Sequence, residues 1–199
     1  MDRLAKILSL LPSFFPDHQF IFPLGDLANL AYSVADSPRS FYLLGSMGMT
    51  IPVGLGVATA SGLRTLVFEG DGGLLMNLGG LASVAKFGPD NLSIVIVDNG
   101  AYVSTGCQEV NLSSTQGIEQ IARSCGLVNV CTFDTESVEN EILDWIGGAG
   151  LRLAVLKTQA KKINAPFVPL APEKMTARFI ASCEQGRPLY FDRDGEDAN

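Results

Sequence analysis

Short apolar runs alternate along this chain with segments whose apolar residues recur every three or four positions. Apolar runs of about four to eight residues that are rich in β-branched and aromatic side chains are typical of buried strands. The longer spacing is typical of helices that bury one face. The predicted strands are 19–24, 41–44, 64–69, 92–97, 128–133 and 151–156. The predicted helices are 4–11, 27–35, 49–60, 75–85, 117–125, 137–146 and 173–183.

This alternation predicts an α/β fold in which a parallel sheet is flanked by helices on both faces. Leu92–Val97 is apolar throughout, as expected for a strand buried on both faces. Residues 1–165 are predicted to form this domain. Residues 166–199 are predicted to form an extended C-terminal segment with a helix and a flexible tail, because the final residues are polar and acidic.

A glycine-rich turn with an acid at its centre follows the third predicted strand. It begins Gly70-Asp71-Gly72 and leads into a predicted helix, and the next strand ends at Asp98-Asn99. The apolar positions that predict this helix are Leu75, Leu78, Leu81, Ala82 and Ala85. Because the carboxyl ends of parallel strands meet at one edge of a sheet, we expect Asp71 and Asn99 to lie close together.

These residue types suit a metal and an anion bound side by side. A carboxylate and an amide oxygen are ligands for Mg²⁺ or Ca²⁺, and the N–H groups at a helix N-terminus attract anions. Gly70, Gly72 and Gly73 are expected to let an oxyanion approach the backbone. The alternative is a glycine-rich turn that contains an acid without binding anything.

The spacing of this motif carries a family resemblance. Between Gly72 and Asn99 lie 26 residues, and this arrangement resembles the diphosphate-binding motif of thiamine-diphosphate enzymes. The resemblance implies that thiamine diphosphate is the cofactor and that Mg²⁺ is held by Asp71, Asn99 and the main-chain carbonyl of Ala101.

A second turn, Gly45-Ser46-Met47-Gly48, follows the second predicted strand. It resembles the turn that grips the aminopyrimidine half of the cofactor in this family. The resemblance implies that the Gly45 carbonyl accepts a hydrogen bond from the 4′-amino group. Met47 would be the bulky side chain that wedges the two cofactor rings into a V. The alternative for Met47 is a core methionine that fills a gap.

The loop after Asn99 combines an aromatic with three hydrogen-bonding side chains: Tyr102, Ser104, Thr105 and Gln108. These groups suit covering the diphosphate or orienting a substrate carboxylate. We expect Tyr102 to contact the cofactor and the other three to contact substrate. The alternative is a solvated polar loop.

Three segments together resemble the small cofactor-binding subunit of two-subunit decarboxylases typified by sulfopyruvate decarboxylase, and the matching domain of phosphonopyruvate decarboxylase. They are Phe41–Met49, Gly70–Gly79 and Asp98–Gln108. The resemblance implies a lyase that decarboxylates a small 2-oxo acid. Where relatives often carry Ser-Arg-Glu, this chain has Leu27-Ala28-Asn29-Leu30. The guanidinium that could pair with a sulfonate or phosphonate is therefore missing, so the resemblance does not establish that substrate class.

The family also requires a glutamate that hydrogen-bonds the aminopyrimidine, and it lies in a separate domain. A second domain does not fit into 199 residues. We therefore expect a pyrimidine-binding, α-type partner subunit to supply the catalytic glutamate within a hetero-oligomer. Glu69 precedes the motif and is interpreted as a strand-end acid that faces solvent; the alternative is that it faces the diphosphate.

Other functional classes match less well. Gly54-Leu55-Gly56-Val57-Ala58-Thr59 is a near miss to the dinucleotide fingerprint, with Thr59 replacing the third glycine. The cysteine spacings do not match an iron–sulfur cluster of an oxidoreductase subunit. An acyloin-forming carboligase of the acetolactate-synthase kind and a non-catalytic cofactor-binding subunit remain alternatives.

Composition limits the partners and the compartment. The net charge of −7 argues against nucleic acid and anionic membranes, which select basic surfaces. Cys107, Cys125, Cys131 and Cys183 form neither a CxxC pair nor a zinc spacing. We therefore expect free thiols in a cytoplasmic protein.

Overall fold

A computed structural model describes residues 3–112, 117–134 and 137–184. Its helices are α1 Arg3–Phe14, α2 Asp26–Ala35, α3 Thr50–Ser61, α4 Asp71–Met76, α5 Gly79–Phe87, α6 Ile118–Ser124, α7 Glu139–Ile146 and α8 Pro172–Glu184. Its strands are β1 Gln19–Phe22, β2 Ser40–Tyr42, β3 Thr65–Gly70, β4 Leu92–Asp98, β5 Ala101–Tyr102, β6 Gln108–Glu109, β7 Val130–Phe133 and β8 Arg152–Lys157. A 3₁₀ turn covers Val103–Thr105.

Six strands form one sheet in the order β2-β1-β3-β4-β8-β7. Every pair in this sheet is parallel. The short strands β5 and β6 pair separately and antiparallel. The predicted α/β fold, a parallel sheet flanked by helices, is confirmed.

The sheet separates two apolar cores, and its central strand contributes to both. Val95 and Val97 of β4 belong to the core beneath α1, α2 and α7. Ile94 and Ile96 belong to the core beneath α3, α5 and α6. Because successive side chains of a strand point to opposite faces, a continuous apolar run is what a sheet covered on both sides requires.

The helix predicted after Gly72 is interrupted. Asn77 has φ −147° and ψ 62°, outside the helical region, and it separates α4 from α5. The break changes which side chains turn inward, so the predicted apolar face was partly wrong. Leu78 is exposed, and Leu74, Leu81 and Val84 are the buried residues. The Asn77 side chain explains the break, because its Nδ2 donates a hydrogen bond of 3.1 Å to the Gly48 carbonyl.

Helix α8 covers the β2 edge of the sheet. The N–H of Tyr42 donates to Met175 Sδ at 3.4 Å, and the rings of Phe41 and Phe179 lie 5.4 Å apart. An edge strand covered in this way presents fewer unpaired groups. The division of the chain at residue 165 stays a prediction, and the predicted flexible tail lies outside the described residues. Within the described ranges, no helix combines the length and hydropathy needed to cross a bilayer.

Gly54 packs α3 against β3, so it does not mark a nucleotide-binding turn. It lies inside the helix, and a Cβ added to it would be 2.0 Å from Val67 Cγ2. The near-miss fingerprint therefore has the wrong structural context, since the true motif joins a strand to a helix.

Gly54→Ala is expected to lower the free energy of unfolding by about 1–3 kcal/mol, because the stiff β-branched Val67 must move. The matched control is Gly56→Ala on the same helix, where an added Cβ meets no atom within 4 Å. That control is expected to gain up to about 1 kcal/mol from helix propensity. Urea denaturation followed by circular dichroism measures both, and equal effects would contradict the packing role.

Candidate functional site

The carboxyl ends of the strands enclose a cavity of about 670 Å³. It lies where the strand order reverses, since β1 leads to β2 on one side and is flanked by β3 on the other. Open parallel sheets bind ligands at such a point. The lining residues are Arg3, Leu4, 23–27, Met47, 69–73, Val97, Asn99, 101–105, 157–159, Lys161 and Ile163.

Asp71 joins the ends of the two central strands. It is the first residue of α4 and is only 4% exposed. Its Oδ2 accepts hydrogen bonds from the N–H groups of Gly100 at 2.7 Å and Asn99 at 3.2 Å. Its Oδ1 accepts from the Gly72 N–H at 2.8 Å. The structure thus brings the Asp71 and Asn99 segments together.

Burial raises the pKa of Asp71 to about 6, and the nearby charge of Asp98 acts in the same direction. The hydrogen bonds from Gly72 and Gly100 oppose this shift because they favour the ionised form. Asp98 itself is paired with the Lys157 ammonium. A bound divalent cation would favour the charged form of Asp71, so the carboxylate suits a metal ligand.

The other predicted metal ligands lie on the adjoining loop. Asn99 Oδ1 accepts the Ala101 N–H at 2.9 Å, and the Val110 N–H closes the loop onto the Gly100 carbonyl at 2.9 Å. Among the residues that the structure covers, no three His, Cys, Asp or Glu side chains form a metal site. One carboxylate with amide and carbonyl oxygens nevertheless suits Mg²⁺, which keeps several waters and needs few protein ligands.

The three glycines of the motif differ in what they provide. A Cβ on Gly70 would meet no atom within 4 Å, so this backbone borders open space that an anion can enter. A Cβ on Gly72 would be 2.2 Å from Tyr102 Cε1, and one on Gly73 would be 2.3 Å from Glu69 Oε1. Gly72 and Gly73 are therefore needed for packing of neighbouring side chains, which the sequence interpretation missed.

The turn between β2 and α3 presents Met47 at the cavity. Met47 is 40% exposed and lines the cavity, so the core interpretation of this residue is not supported. Ser46 has φ 60°, a conformation that non-glycine residues rarely adopt and that often accompanies functional sites. Gly45 and Ser46 are exposed and are not part of the cavity lining.

The predicted substrate residues divide into two groups. Ser104 and Thr105 line the cavity. Gln108 is exposed and is not part of the lining, and its Oε1 accepts from the Thr105 hydroxyl at 3.1 Å. Tyr102 lies against Gly72 and lines the cavity, as a cofactor contact requires.

Two walls of the cavity were missed by the sequence interpretation. Gly25 and Asp26 follow β1, whereas residues 157–159 and Lys161 lie at and beyond the end of β8. The rule that ligands bind beyond the carboxyl ends of parallel strands, applied to every strand, would have found both. Arg3 comes from the N-terminal helix, and only the packing of α1 brings it here.

Glu69 does not face solvent, and that interpretation was wrong. Its side chain is buried, with a residue exposure of 2%. Burial raises the pKa of its carboxyl, while hydrogen bonding with Thr50 and Gly70 opposes the shift. Within the described residues, Oε2 is buried without a hydrogen-bond partner.

Comparison with known proteins assigns this geometry to a family. Residues 25–153, well over half of the chain, match the family described as "Thiamine pyrophosphate enzyme, C-terminal TPP binding domain". This range contains α2 to β7, with the Asp71 motif and the Asn99 loop.

The curated relatives are decarboxylases. The sulfopyruvate decarboxylase subunit beta of Methanococcus maripaludis is 30% identical over 88% of this chain and 94% of its own length. That of Methanothermobacter thermautotrophicus is 38% identical over 82% of this chain and 86% of its own length. Phosphonopyruvate decarboxylase of Streptomyces viridochromogenes is 37% identical over 90% of this chain, which spans 45% of that relative. The predicted family resemblance is confirmed.

Solved structures share the fold. A putative thiamin diphosphate-dependent enzyme from Mycobacterium smegmatis matches 80% of this chain and 32% of that chain, with a TM-score of 0.59 at 20% identity. A 2-oxoglutarate:ferredoxin oxidoreductase from Magnetococcus marinus matches 78% of this chain and 60% of that chain, with a TM-score of 0.62 at 16% identity. The chain therefore belongs to the family of thiamine pyrophosphate enzymes, through their C-terminal TPP-binding domain.

Proposed function

We propose that this chain is the diphosphate-binding subunit of a two-subunit, thiamine-diphosphate-dependent 2-oxo acid decarboxylase. The observation that carries the proposal is the meeting of Asp71 with the Asn99–Ala101 loop at the cavity wall. Relatives of nearly the same length are named as beta subunits of sulfopyruvate decarboxylase, which supports the proposed division into two chains. Free thiols at all four cysteines are compatible with a cytoplasmic protein.

The residues at the cavity fit the diphosphate end of the cofactor. Asp71, the Asn99 amide oxygen and the Ala101 carbonyl would hold Mg²⁺, and Gly70 leaves open space for the diphosphate. Tyr102 would cover the diphosphate from its position against Gly72. When bound, thiamine diphosphate would supply the electron sink that makes loss of carbon dioxide possible.

The turn of Gly45, Ser46 and Met47 would receive the aminopyrimidine end. Met47 projects into the cavity and would hold the two rings in a bent arrangement. The exposed Gly45 carbonyl would accept the 4′-amino group. In this position Met47 would favour proton transfer within the bound cofactor through proximity.

A group of exposed apolar side chains, here called the apolar rim, supports the proposal that a partner subunit binds beside the cavity. Its members are Leu44, Met47, Met49, Met76 and Leu78. They lie on two segments that the Asn77–Gly48 hydrogen bond joins. Contiguous exposed apolar side chains of this kind mark interaction surfaces. A pyrimidine-binding partner that covers this rim would bring the catalytic glutamate to the aminopyrimidine.

The substrate is proposed to be a small 2-oxo acid. Arg3, Lys157 and Lys161 line the cavity beside Asp26, Glu69 and Asp71, and the Lys157 ammonium is paired with Asp98. Arg3 and Lys161 are therefore the cationic groups that would attract a carboxylate. Ser104 and Thr105 would orient that carboxylate, and Gln108 would act by holding the Thr105 hydroxyl.

The first test concerns the metal. Asp71→Ala, or removal of Mg²⁺ by a chelator, is expected to abolish thiamine-diphosphate binding, because the diphosphate would lose its neutralising cation. The matched control is Asp90→Ala, an exposed acid at the opposite edge of the sheet. Isothermal titration calorimetry measures both variants. Magnesium-independent binding by Asp71→Ala would contradict the assigned site.

The raised pKa of Asp71 gives this binding a pH dependence. Since the pKa is about 6 in the folded chain, protonation at lower pH competes with Mg²⁺. We expect affinity for Mg²⁺ to fall by about tenfold per pH unit below 6. Without metal, the contribution of Asp71 to stability is present at low pH and is lost as pH rises through about 6. Thermal unfolding should therefore show a larger Mg²⁺-induced rise in Tm at pH 7.5 than at pH 5, and an equal rise would refute this dependence.

The second test concerns the wedge. Met47→Ala in the assembled complex is expected to leave Mg²⁺ binding intact and to slow deuterium exchange at the reacting carbon of thiamine by about tenfold or more. Met49→Ala is the control, because Met49 is similarly exposed and does not line the cavity. Proton NMR after acid quench measures the exchange. Equal rates in both variants would remove the wedge role from Met47.

The experiment that tests the whole proposal is reconstitution. The purified chain with thiamine diphosphate and Mg²⁺ is expected to turn over no 2-oxo acid, and activity should appear when a partner of about 150–200 residues is added. Co-purification with mass spectrometry identifies that partner. Product analysis with pyruvate, sulfopyruvate and phosphonopyruvate, with and without an aldehyde, separates decarboxylation from carboligation. Strong turnover by this chain alone would overturn the shared active site.

A further inference from the structure

The buried carboxyl group of Glu69 has no role in the cofactor contacts described above. It lies one residue before Gly70, at the carboxyl end of β3. The side chain is buried, yet the residue borders the cavity. The preceding residues of this strand, Leu66 to Phe68, are buried and apolar, and Glu69 is the buried acid that follows them.

Stability does not explain an acid at this position. A buried carboxyl oxygen without a hydrogen-bond partner destabilises the folded state. Oε2 is such an atom among the described residues. An apolar side chain of similar size would fill the same space without this cost. The reason for an acid at this position must therefore lie in the neighbouring segments that its carboxyl group contacts.

The carboxyl group contacts the Gly70–Gly73 segment, where the diphosphate is proposed to bind, at two points. Oε1 accepts the Gly70 N–H at 3.0 Å, which fixes the backbone just before Asp71. Oε1 also lies where a Cβ of residue 73 would be, 2.3 Å from its ideal position. The first turn of α4 therefore rests directly on Glu69, and only glycine at position 73 permits this contact.

The same carboxyl group interacts with the start of α3. Burial raises the pKa of Glu69, and the nearby hydroxyl and backbone of Thr50 oppose that shift. Thr50 is the first residue of α3 and is buried. The turn that carries Met47 ends at Met49, whose N–H bonds to the Ser46 carbonyl at 3.0 Å. Gly48 of the same turn packs against the carbonyl of Gly73, the residue that rests on Glu69, so Glu69 supports the turn through Gly73.

The Asn77 side chain also links the Met47 turn to the end of α4. It donates to the Gly48 carbonyl, and Gly48, with φ 90°, packs against the Gly73 carbonyl and Met76. The Met47 turn is therefore linked to α4 by the Asn77 side chain and by the packing of Gly48 on Gly73, which rests on Glu69. Glu69 also holds Gly70.

We propose that Glu69 is a positioning residue that holds the Met47 turn at a fixed distance from the Gly70–Gly73 segment. This inference rests on the proposed function, in which the two segments receive the two halves of thiamine diphosphate. A fixed distance preorganises the site for a ligand that spans both segments, so part of the ordering cost is met before binding. A ligand that contacts the Gly70–Gly73 segment alone gains no affinity from this fixed distance.

The test compares two ligands that differ in this respect, each with Mg²⁺: inorganic diphosphate and thiamine diphosphate. Calorimetry on the full chain gives the ratio of the two affinities. Glu69→Ala is expected to lower the preference for thiamine diphosphate by about tenfold and to change diphosphate affinity by less than about threefold. Glu69→Gln should retain most of the preference, because its amide oxygen can still accept the Gly70 N–H.

Two further variants keep the test decisive if Glu69→Ala unfolds. Thr50→Val removes the hydroxyl that interacts with Glu69 at nearly constant volume, and it should lower the same ratio by about threefold or more. The matched control is Gln19→Ala. Gln19 is a fully buried polar residue at the amino end of β1, and its Oε1 accepts a hydrogen bond from the Ser182 hydroxyl. This control should lower stability and leave the ratio unchanged.

Amide hydrogen exchange of the ligand-free chain gives an independent measurement. Exchange at residues 46–50 is expected to be about tenfold faster in Glu69→Ala than in wild type, and unchanged in Gln19→Ala. An unchanged affinity ratio with unchanged exchange in Glu69→Ala would overturn the positioning role while leaving the proposed function intact. Failure of the wild-type chain to bind either ligand would instead overturn the proposed function, and the inference with it.

Discussion

The geometry of the site depends on one buried carboxylate. Asp71 accepts N–H groups from its own helix and from the loop after β4, so it fixes the relative position of the two central strand ends. Burial raises its pKa to about 6, which makes its ionisation sensitive to a nearby cation. The same group therefore organises the loop and places an ionisable carboxyl group at the edge of the sheet. This dual role explains why an acid lies at the first turn of α4, where the helix N-terminus also favours negative charge.

The glycines around Asp71 differ in whether they border the cavity or allow close packing. Gly70 opens onto the cavity, whereas Gly72 and Gly73 accept the Tyr102 ring and the Glu69 carboxyl group. Side chains from β3 and from the Asn99 loop thereby approach the backbone of α4 closely. Such close packing stabilises the arrangement of a site that must hold a multiply charged ligand, because backbone groups are fixed before binding.

The apolar rim and the cavity suggest how the chain would work in an assembly. The Met47 turn and the α4–α5 junction expose methionine and leucine side chains next to polar cavity walls. Methionine is flexible and adapts its shape to a partner surface. In the proposed complex the partner would exclude water from the cavity and complete the acid–base groups, so that the reaction occurs only between two chains.

Local sequence pattern was sufficient for the fold and for the centre of the site. The alternation of strands and helices, the Gly70–Gly72 turn and the Asn99 spacing depend on residues adjacent in the chain, and parallel topology brings their ends together. The sequence could not reveal the break at Asn77 or the burial of Glu69. Each depends on contacts between segments distant in sequence: Asn77 with Gly48, and Glu69 with Thr50. Burial and hydrogen bonding are properties of the packed chain, so only the tertiary structure could decide them.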